Sequence, residues 1–144
     1  MTRWILIGGA GLTGLQIAKN LIDKKVSKSH IIIADLKEAL EIVNLEVTKL
    51  YCNIALNIIP KFKENDIIIH LAARQYHLNV PNKNKLLWFR KVNVTGTKNV
   101  INHCLKCKVK GLIYFSTDMV YGSPLFVPLT TDHPKNPIGP YGQS

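Results

Sequence analysis

The feature that most constrains this chain is the run Gly8-Gly9-Ala10-Gly11-Leu12-Thr13-Gly14, set between an apolar stretch and a helical pattern. Before it stands Arg3-Trp4-Ile5-Leu6-Ile7, a short apolar segment of the kind that forms a strand buried on both faces. After it Leu12, Leu15, Ala18 and Ile22, with Ile17 and Leu21 beside them, recur at helical spacing and predict one apolar helix face. A tight turn from strand into helix uses glycine where φ must be positive. It also leaves the first amide N–H groups of the helix unpaired, at the positive end of the helix dipole, where an anion can reach them. The spacing is G-x-x-G-x-x-G rather than G-x-G-x-x-G, and the physics is shared. Gly14 lets the helix pack close to the strand. Glycines also serve turns that bind nothing, so the order strand, glycine turn, helix carries the reading.

The same alternation continues. Residues 30–35 predict a second strand, ending at Asp35, and a third lies near 47–52. Residues 53–62 predict a helix whose end is weakened by Pro60. A fourth strand covers 66–71, and 72–83 form a loop. The longest helical pattern is 84–108, with Leu87, Val94, Val100, Ile101 and Leu105 as expected core positions and Gly96 allowing approach to the sheet. A fifth strand covers 111–116, and the chain beyond Gly122 is a proline-rich loop. Strands alternating with helices imply right-handed βαβ crossovers. The expected fold is α/β, a Rossmann-like doubly wound parallel sheet of order 3-2-1-4-5.

Asp35 stands about 20 residues beyond Gly14, where such folds place a ribose-binding acid. Its carboxylate would accept from the 2′- and 3′-hydroxyls of an adenosine and repel a 2′-phosphate. That favours NAD over NADP, with nearby Lys37 softening the preference. The competing role for Asp35 is a helix cap.

Composition limits the alternatives. At 144 residues one domain is expected; 47% hydrophobic residues suffice for a core, and 19% charged are too few for a disordered chain. Net charge is +10, but the lysines are scattered singly and arginine is scarce. This describes a soluble surface attractive to anions rather than a nucleic-acid stripe. No apolar run reaches the ~18 residues of a membrane span. The first residues resemble a signal peptide, yet glycines follow at once, so a cytoplasmic chain is expected. Three cysteines, an odd number, suit reduced thiols. Cys104-Leu-Lys-Cys107 falls near the end of a helix, the wrong end for a redox pair, and no second pair completes a zinc site.

Taken in order, Gly8-x-x-Gly11-x-x-Gly14, Asp35, Asp66-Ile-Ile-Ile-His-Leu-Ala-Ala73, Asn93-Val-Thr-Gly-Thr97, Ser116-Thr-Asp-Met-Val-Tyr-Gly122 and Pro140-Tyr-Gly-Gln-Ser144 make the chain resemble the extended short-chain dehydrogenase/reductase family of nucleotide-sugar epimerases and dehydratases. The resemblance runs over essentially the whole chain and implies roles. Leu12 and Thr13 would give amides to the cofactor pyrophosphate. Asn53 and Ile54 would lie beside the adenine, where the family usually has Asp-Ile or Asp-Val. Leu71, Ala72 and Ala73 would run along the cofactor, and Asn93 would lie near the nicotinamide, its competing role being a bond to a neighbouring loop. Thr117 would be the catalytic Ser/Thr that bonds the substrate hydroxyl. Tyr141 would match the Tyr of Y-x-x-x-K, the base that takes the hydroxyl proton while hydride passes to NAD. A free Tyr titrates near pH ~10 and needs help from the following Lys and the cofactor's positive ring.

The sequence ends at Ser144, one residue before that Lys is due. The expectation is therefore an incomplete NAD(P)-binding domain over 1–144, inactive by itself, lacking later strands and a substrate domain; a non-catalytic dinucleotide module is the alternative. Thr117-Asp118-Met119 replaces the Thr-Asp-Glu of sugar dehydratases, and Met cannot transfer a proton, so epimerase or reductase chemistry on a nucleotide-sugar is favoured. Strand five, left as an exposed apolar edge, predicts a homodimer or edge-strand association, with the tail as possible cover.

Overall fold

Short isoleucine-rich runs, each too short for a helix and flanked by turn residues, form the centre of a parallel sheet. The computed structural model describes residues 1–144. In chain order the elements are β1 (Trp4–Ile7), α1 (Leu12–Asp23), β2 (Ile31–Asp35), α2 (Lys37–Glu41), β3 (Thr48–Tyr51), β4 (Ile67–His70), α3 (Lys85–Arg90), α4 (Thr97–Cys107), β5 (Gly111–Tyr114) and α5 (Gly139–Gly142). The sheet order is β3-β2-β1-β4-β5, all parallel, as the sequence predicts. Trp4 of β1 stands level with Ile31 of β2 and Ile67 of β4.

Alternate strand residues feed two cores, one on each face of the sheet. Ile5, Ile7, Ile32 and Ile68 pack with Val100 and Cys104 of α4. Leu6, Ile31, Ile33 and Ile69 pack with Ala18 and Leu21 of α1. Fully burying each such side chain contributes roughly 1.5–3 kcal/mol. At the amino ends of β1 and β4, Asp66 is 1% exposed and accepts from Arg3 Nε at 2.8 Å and Nη2 at 2.6 Å, and from the Lys63 amide. That hydrogen bond and the Asp66 charge hold the Arg3 guanidinium above its ordinary pKa.

Several expectations need correction. Residues 53–62 do not form a helix: a single 3-10 turn, Ile54–Leu56, ends at Asn57 in the left-handed region, and Asn53 bridges antiparallel to Ile58. Asparagines at both ends hydrogen-bond locally or adopt αL, which competes with helix. The long helix exists, but α3 and α4 are joined by a π-helical segment, Lys91–Gly96. Its inward face is Phe89, Asn93, Gly96, Val100 and Cys104, whereas Leu87 and Leu105 are 71% exposed and Ile101 also faces out. Of the expected core positions only Val100 is fully buried, and Val94 is half-buried. The side that approaches the fold closely selects a glycine and a paired amide over larger apolar groups. Gly96 makes that approach against Ile54, where an added Cβ would lie 2.6 Å from Cγ1, rather than against a strand.

Leu12 is likewise outside the α1 core, at 89% exposure, on the rim of the glycine turn. The tail does not cover β5. It folds on itself around His133, whose Nε2 accepts from the Leu125 amide at 2.9 Å while Nδ1–H donates to the Pro134 carbonyl. Leu112, Ile113, Tyr114 and Phe115 stay exposed.

Candidate functional site

The glycine turn sits at the carboxyl end of β1, where the chain reverses between β2 and β4. Gly8 has φ +78°, and its amide donates to the Ala34 carbonyl at 2.8 Å. A Cβ on Gly8 would lie 2.5 Å from the Ala72 amide nitrogen, and one on Gly14 would lie 2.4 Å from the Gly9 carbonyl oxygen. These two glycines let β1, β4 and α1 meet. Gly11 differs: its added Cβ would meet nothing nearer than 3.8 Å. The first α1 hydrogen bond runs from the Leu15 amide to Gly11, so the Leu12, Thr13 and Gly14 amides have no protein acceptor, and no acid stands in the first turn. Three free N–H groups on a twelve-residue helix, with open space before them, fit a diphosphate.

Asp35 closes the turn from β2. Its Oδ2 accepts from the Ala10 amide at 3.0 Å and its Oδ1 from the Leu36 amide at 2.8 Å. The carboxylate thus ties two loops together while keeping lone pairs for a ribose. It is not the α2 cap; that position is Leu36. Beside it Cys52 is buried, and burial followed by the Asp35 charge pushes its thiol up to about 12. Cys52 is a packing residue. Asn53 spends its Oδ1 on the Leu56 amide at 3.3 Å. Ile54 is buried under Gly96.

The segment Asn93–Thr97 clamps the carboxyl end of β4. Asn93 Oδ1 accepts from the Arg74 amide at 2.7 Å, and Nδ2 donates to the Arg74 carbonyl at 3.1 Å and to Ser144 Oγ at 2.8 Å. Four residues on, Thr97 Oγ1 shares a hydrogen bond with His70 Nε2 at 2.9 Å. The i, i+4 spacing puts both bonds on one helix face. His70 is fully buried with Nδ1 unpartnered, and burial pulls its imidazole down to about 4, so it is neutral.

Thr117 enters from the turn that follows β5, and Tyr141 from α5. Thr117 Oγ1 donates to Asp118 Oδ1 at 3.2 Å and accepts from the Met119 amide at 3.3 Å. The Tyr141 ring is braced edge-on by Tyr76 and at a tilt by Phe89, each with centroids 5.6 Å away. Ser144 Oγ donates to the Tyr141 carbonyl at 2.7 Å. Tyr114 lies close enough that Tyr141, after burial, adds to raising its phenol. Arg74, Tyr76, Phe89, Tyr114 and Ser144 were not singled out from sequence. Only Arg74, adjoining Leu71-Ala72-Ala73, carried a positional hint.

All fourteen expected residues line one cleft of about 970 Å³: Gly8, Gly11, Leu12, Thr13, Gly14, Asp35, Asn53, Ile54, Leu71, Ala72, Ala73, Asn93, Thr117 and Tyr141. No helix is long and apolar enough to cross a membrane.

A parallel doubly wound sheet with a glycine turn at its switch point defines the class of dinucleotide-binding folds. The family model described as "NAD dependent epimerase/dehydratase family" matches residues 4–144, and the chain belongs to that family. A UDP-glucose 4-epimerase of Lactobacillus helveticus is 29% identical over 97% of this chain and 43% of its own length. A dTDP-D-glucose 4,6-dehydratase of Dictyostelium discoideum is 36% identical over 84% of this chain and 30% of its own. Among solved structures, the Bordetella bronchiseptica enzyme WbmG in complex with NAD superposes with TM-score 0.74 at 23% identity, over 98% of this chain and 46% of that one. The chain spans less than half the length of these relatives.

Proposed function

We propose that residues 1–144 form one NAD-binding domain of a cytoplasmic nucleotide-sugar epimerase or reductase. The observation that carries this reading is the convergence of fourteen residues, from separate stretches of chain, on one cleft. The Leu12, Thr13 and Gly14 amides take the diphosphate, Asp35 the adenosine ribose, and Asn53 with Ile54 the adenine side. Leu71, Ala72 and Ala73 line the path to the nicotinamide, held there by the Asn93 clamp on Arg74. When bound, NAD supplies the hydride acceptor for a sugar hydroxyl carbon. Tyr141 Oη takes the hydroxyl proton, and Thr117 Oγ1 orients that hydroxyl after releasing Asp118. Met119 has no proton to give, which favours epimerisation or reduction over dehydration.

The Asp35 carboxylate favours NAD over NADP, because a 2′-phosphate would meet its charge. Lys37, the cation able to offset this, places its Nζ over the Tyr51 ring, 5.3 Å from the centroid. Calorimetric titration of the 144-residue chain with NAD⁺ and NADP⁺, alongside Asp35→Ala, tests the reading. Saturable NAD⁺ binding, weaker for NADP⁺ and weaker in the variant, is expected; no binding of either cofactor would sink it. The engagement of the Thr117 hydroxyl with its own turn favours a second reading, a dinucleotide module without chemistry. Because residues 1–144 do not include the Lys of Y-x-x-x-K, nucleotide-sugar-dependent appearance of reduced-nicotinamide absorbance separates the two when measured in a longer chain that supplies that Lys.

A further inference from the structure

We propose that Arg74 binds an oxyanion carried by the substrate, either a carboxylate on the sugar or the nucleotide diphosphate. The inference rests on the nucleotide-sugar reading above. Arg74 follows the cofactor-lining residues Leu71–Ala73 and itself lines the cleft. Three contacts orient it. Its guanidinium carbon lies 4.3 Å from the centroid of the Trp88 ring, its Nη1 donates to the Trp88 carbonyl at 2.7 Å, and its backbone is held at both N–H and C=O by the Asn93 amide.

No carboxylate neutralises it. The ion pairs of the molecule are Arg3–Asp66 and Lys28–Glu46, and neither Nε nor Nη2 of Arg74 has a protein acceptor. It is half-buried, and burial lowers its pKa. Removing a cation from water without a partner costs free energy, and an incoming anion offsets that cost. An arginine fixed on one face and at one nitrogen still presents a free forked edge, which suits the two oxygens of a carboxylate or phosphate.

The charge pattern of the cleft agrees. Its one acid is Asp35, at the end of β2, while Arg74 and Lys91 both line it. The cofactor diphosphate already has a cradle in the α1 amides. Arg74 belongs to the opposite structural group: Asn93 links it to Ser144 and hence to the turn bearing Tyr141, and Trp88 packs edge-on against Phe89, which braces the same ring. An oxyanion on Arg74 is therefore one belonging to the molecule that meets Tyr141.

The test uses the 144-residue chain saturated with NAD⁺, titrated calorimetrically with UDP-glucose and UDP-glucuronate. Wild type, Arg74→Ala and Arg74→Lys are compared, with thermal melts to verify folding; Arg74→Lys serves if the alanine variant does not fold. The expected result is a loss of about tenfold or more in nucleotide-sugar affinity in Arg74→Ala, partly recovered in Arg74→Lys because one ammonium cannot form the fork. NAD⁺ affinity stays within about twofold in both. Loss confined to UDP-glucuronate assigns the sugar carboxylate, and equal loss for both ligands assigns the diphosphate. Unchanged affinities, or no binding of either sugar nucleotide to the NAD⁺-loaded chain, overturn the inference alone. A tenfold loss of NAD⁺ affinity in the variants also overturns it, by giving Arg74 to the cofactor. Failure of the wild type to bind NAD⁺ removes this inference and the reading beneath it.

Discussion

Strands β4 and β5 are neighbours, have the same length and are both apolar, yet they lead different lives. In β4, Ile68, Ile69 and His70 are buried, with helices over both faces; in β5, Ile113 is 47% exposed and Leu112, Tyr114 and Phe115 are similarly open. Their glycines differ in the same way. Gly14, in the first turn of α1 against the glycine turn that links β1 to it, has the Gly9 backbone within 2.4 Å of a would-be Cβ, whereas Gly111 at the start of β5 has nothing within 4 Å. Neighbours decide how far a residue matters. Composition alone does not.

The glycine pair breaks this comparison most directly. Gly14→Ala drives a Cβ into the Gly9 backbone and is expected to cost about 3 kcal/mol or more, while Gly111→Ala stays within about 0.5 kcal/mol. Urea titrations of both variants check this, and equal effects would refute the contrast. Next in size is the buried His70. Its imidazole falls from an ordinary 6.5 to about 4 in the fold, so below pH 6.5 the unfolded chain binds the extra proton. Stability is full above 6.5 and declines as pH falls towards 4, by on the order of 3 kcal/mol. In His70→Gln this component of the pH dependence should vanish; an unchanged profile would show that burial does not govern the group. Smallest is the β5 edge. Ile113→Lys places a charge on an open apolar strand and is expected to weaken self-association by about tenfold with little change in stability. Sedimentation at several concentrations reads this, and a wild type monomeric throughout would remove the edge as an association site.

The parallel sheet and its order were legible because apolar runs, punctuating glycines and helical spacing repeat locally. The cleft was legible too, since Gly8–Gly14, Asp35 and Leu71–Ala73 stand at strand ends whose order follows once the crossovers are right-handed. What failed depended on contacts between distant segments or, in one case, on a local left-handed residue. The inward face of α3 and α4 was missed because Gly96 fits under Ile54 and Asn93 is satisfied by Arg74, and neither residue reads as core. Residues 53–62 looked helical because Asn57 entering αL is invisible to periodicity. Arg74 was passed over because its orientation depends on Trp88, fourteen residues away.

Asp35 has a consequence for how such a protein can change over generations. One carboxylate accepts from both Ala10 and Leu36, so the residue proposed to read the ribose also holds the glycine turn in shape. An asparagine there has a single acceptor oxygen and must abandon one of the two amides. A drift towards phosphorylated cofactors through this position therefore loosens the turn at the same stroke. On the proposed role of Asp35, cofactor taste and turn geometry are inherited together, and a lineage that alters one must first find a second anchor for Ala10.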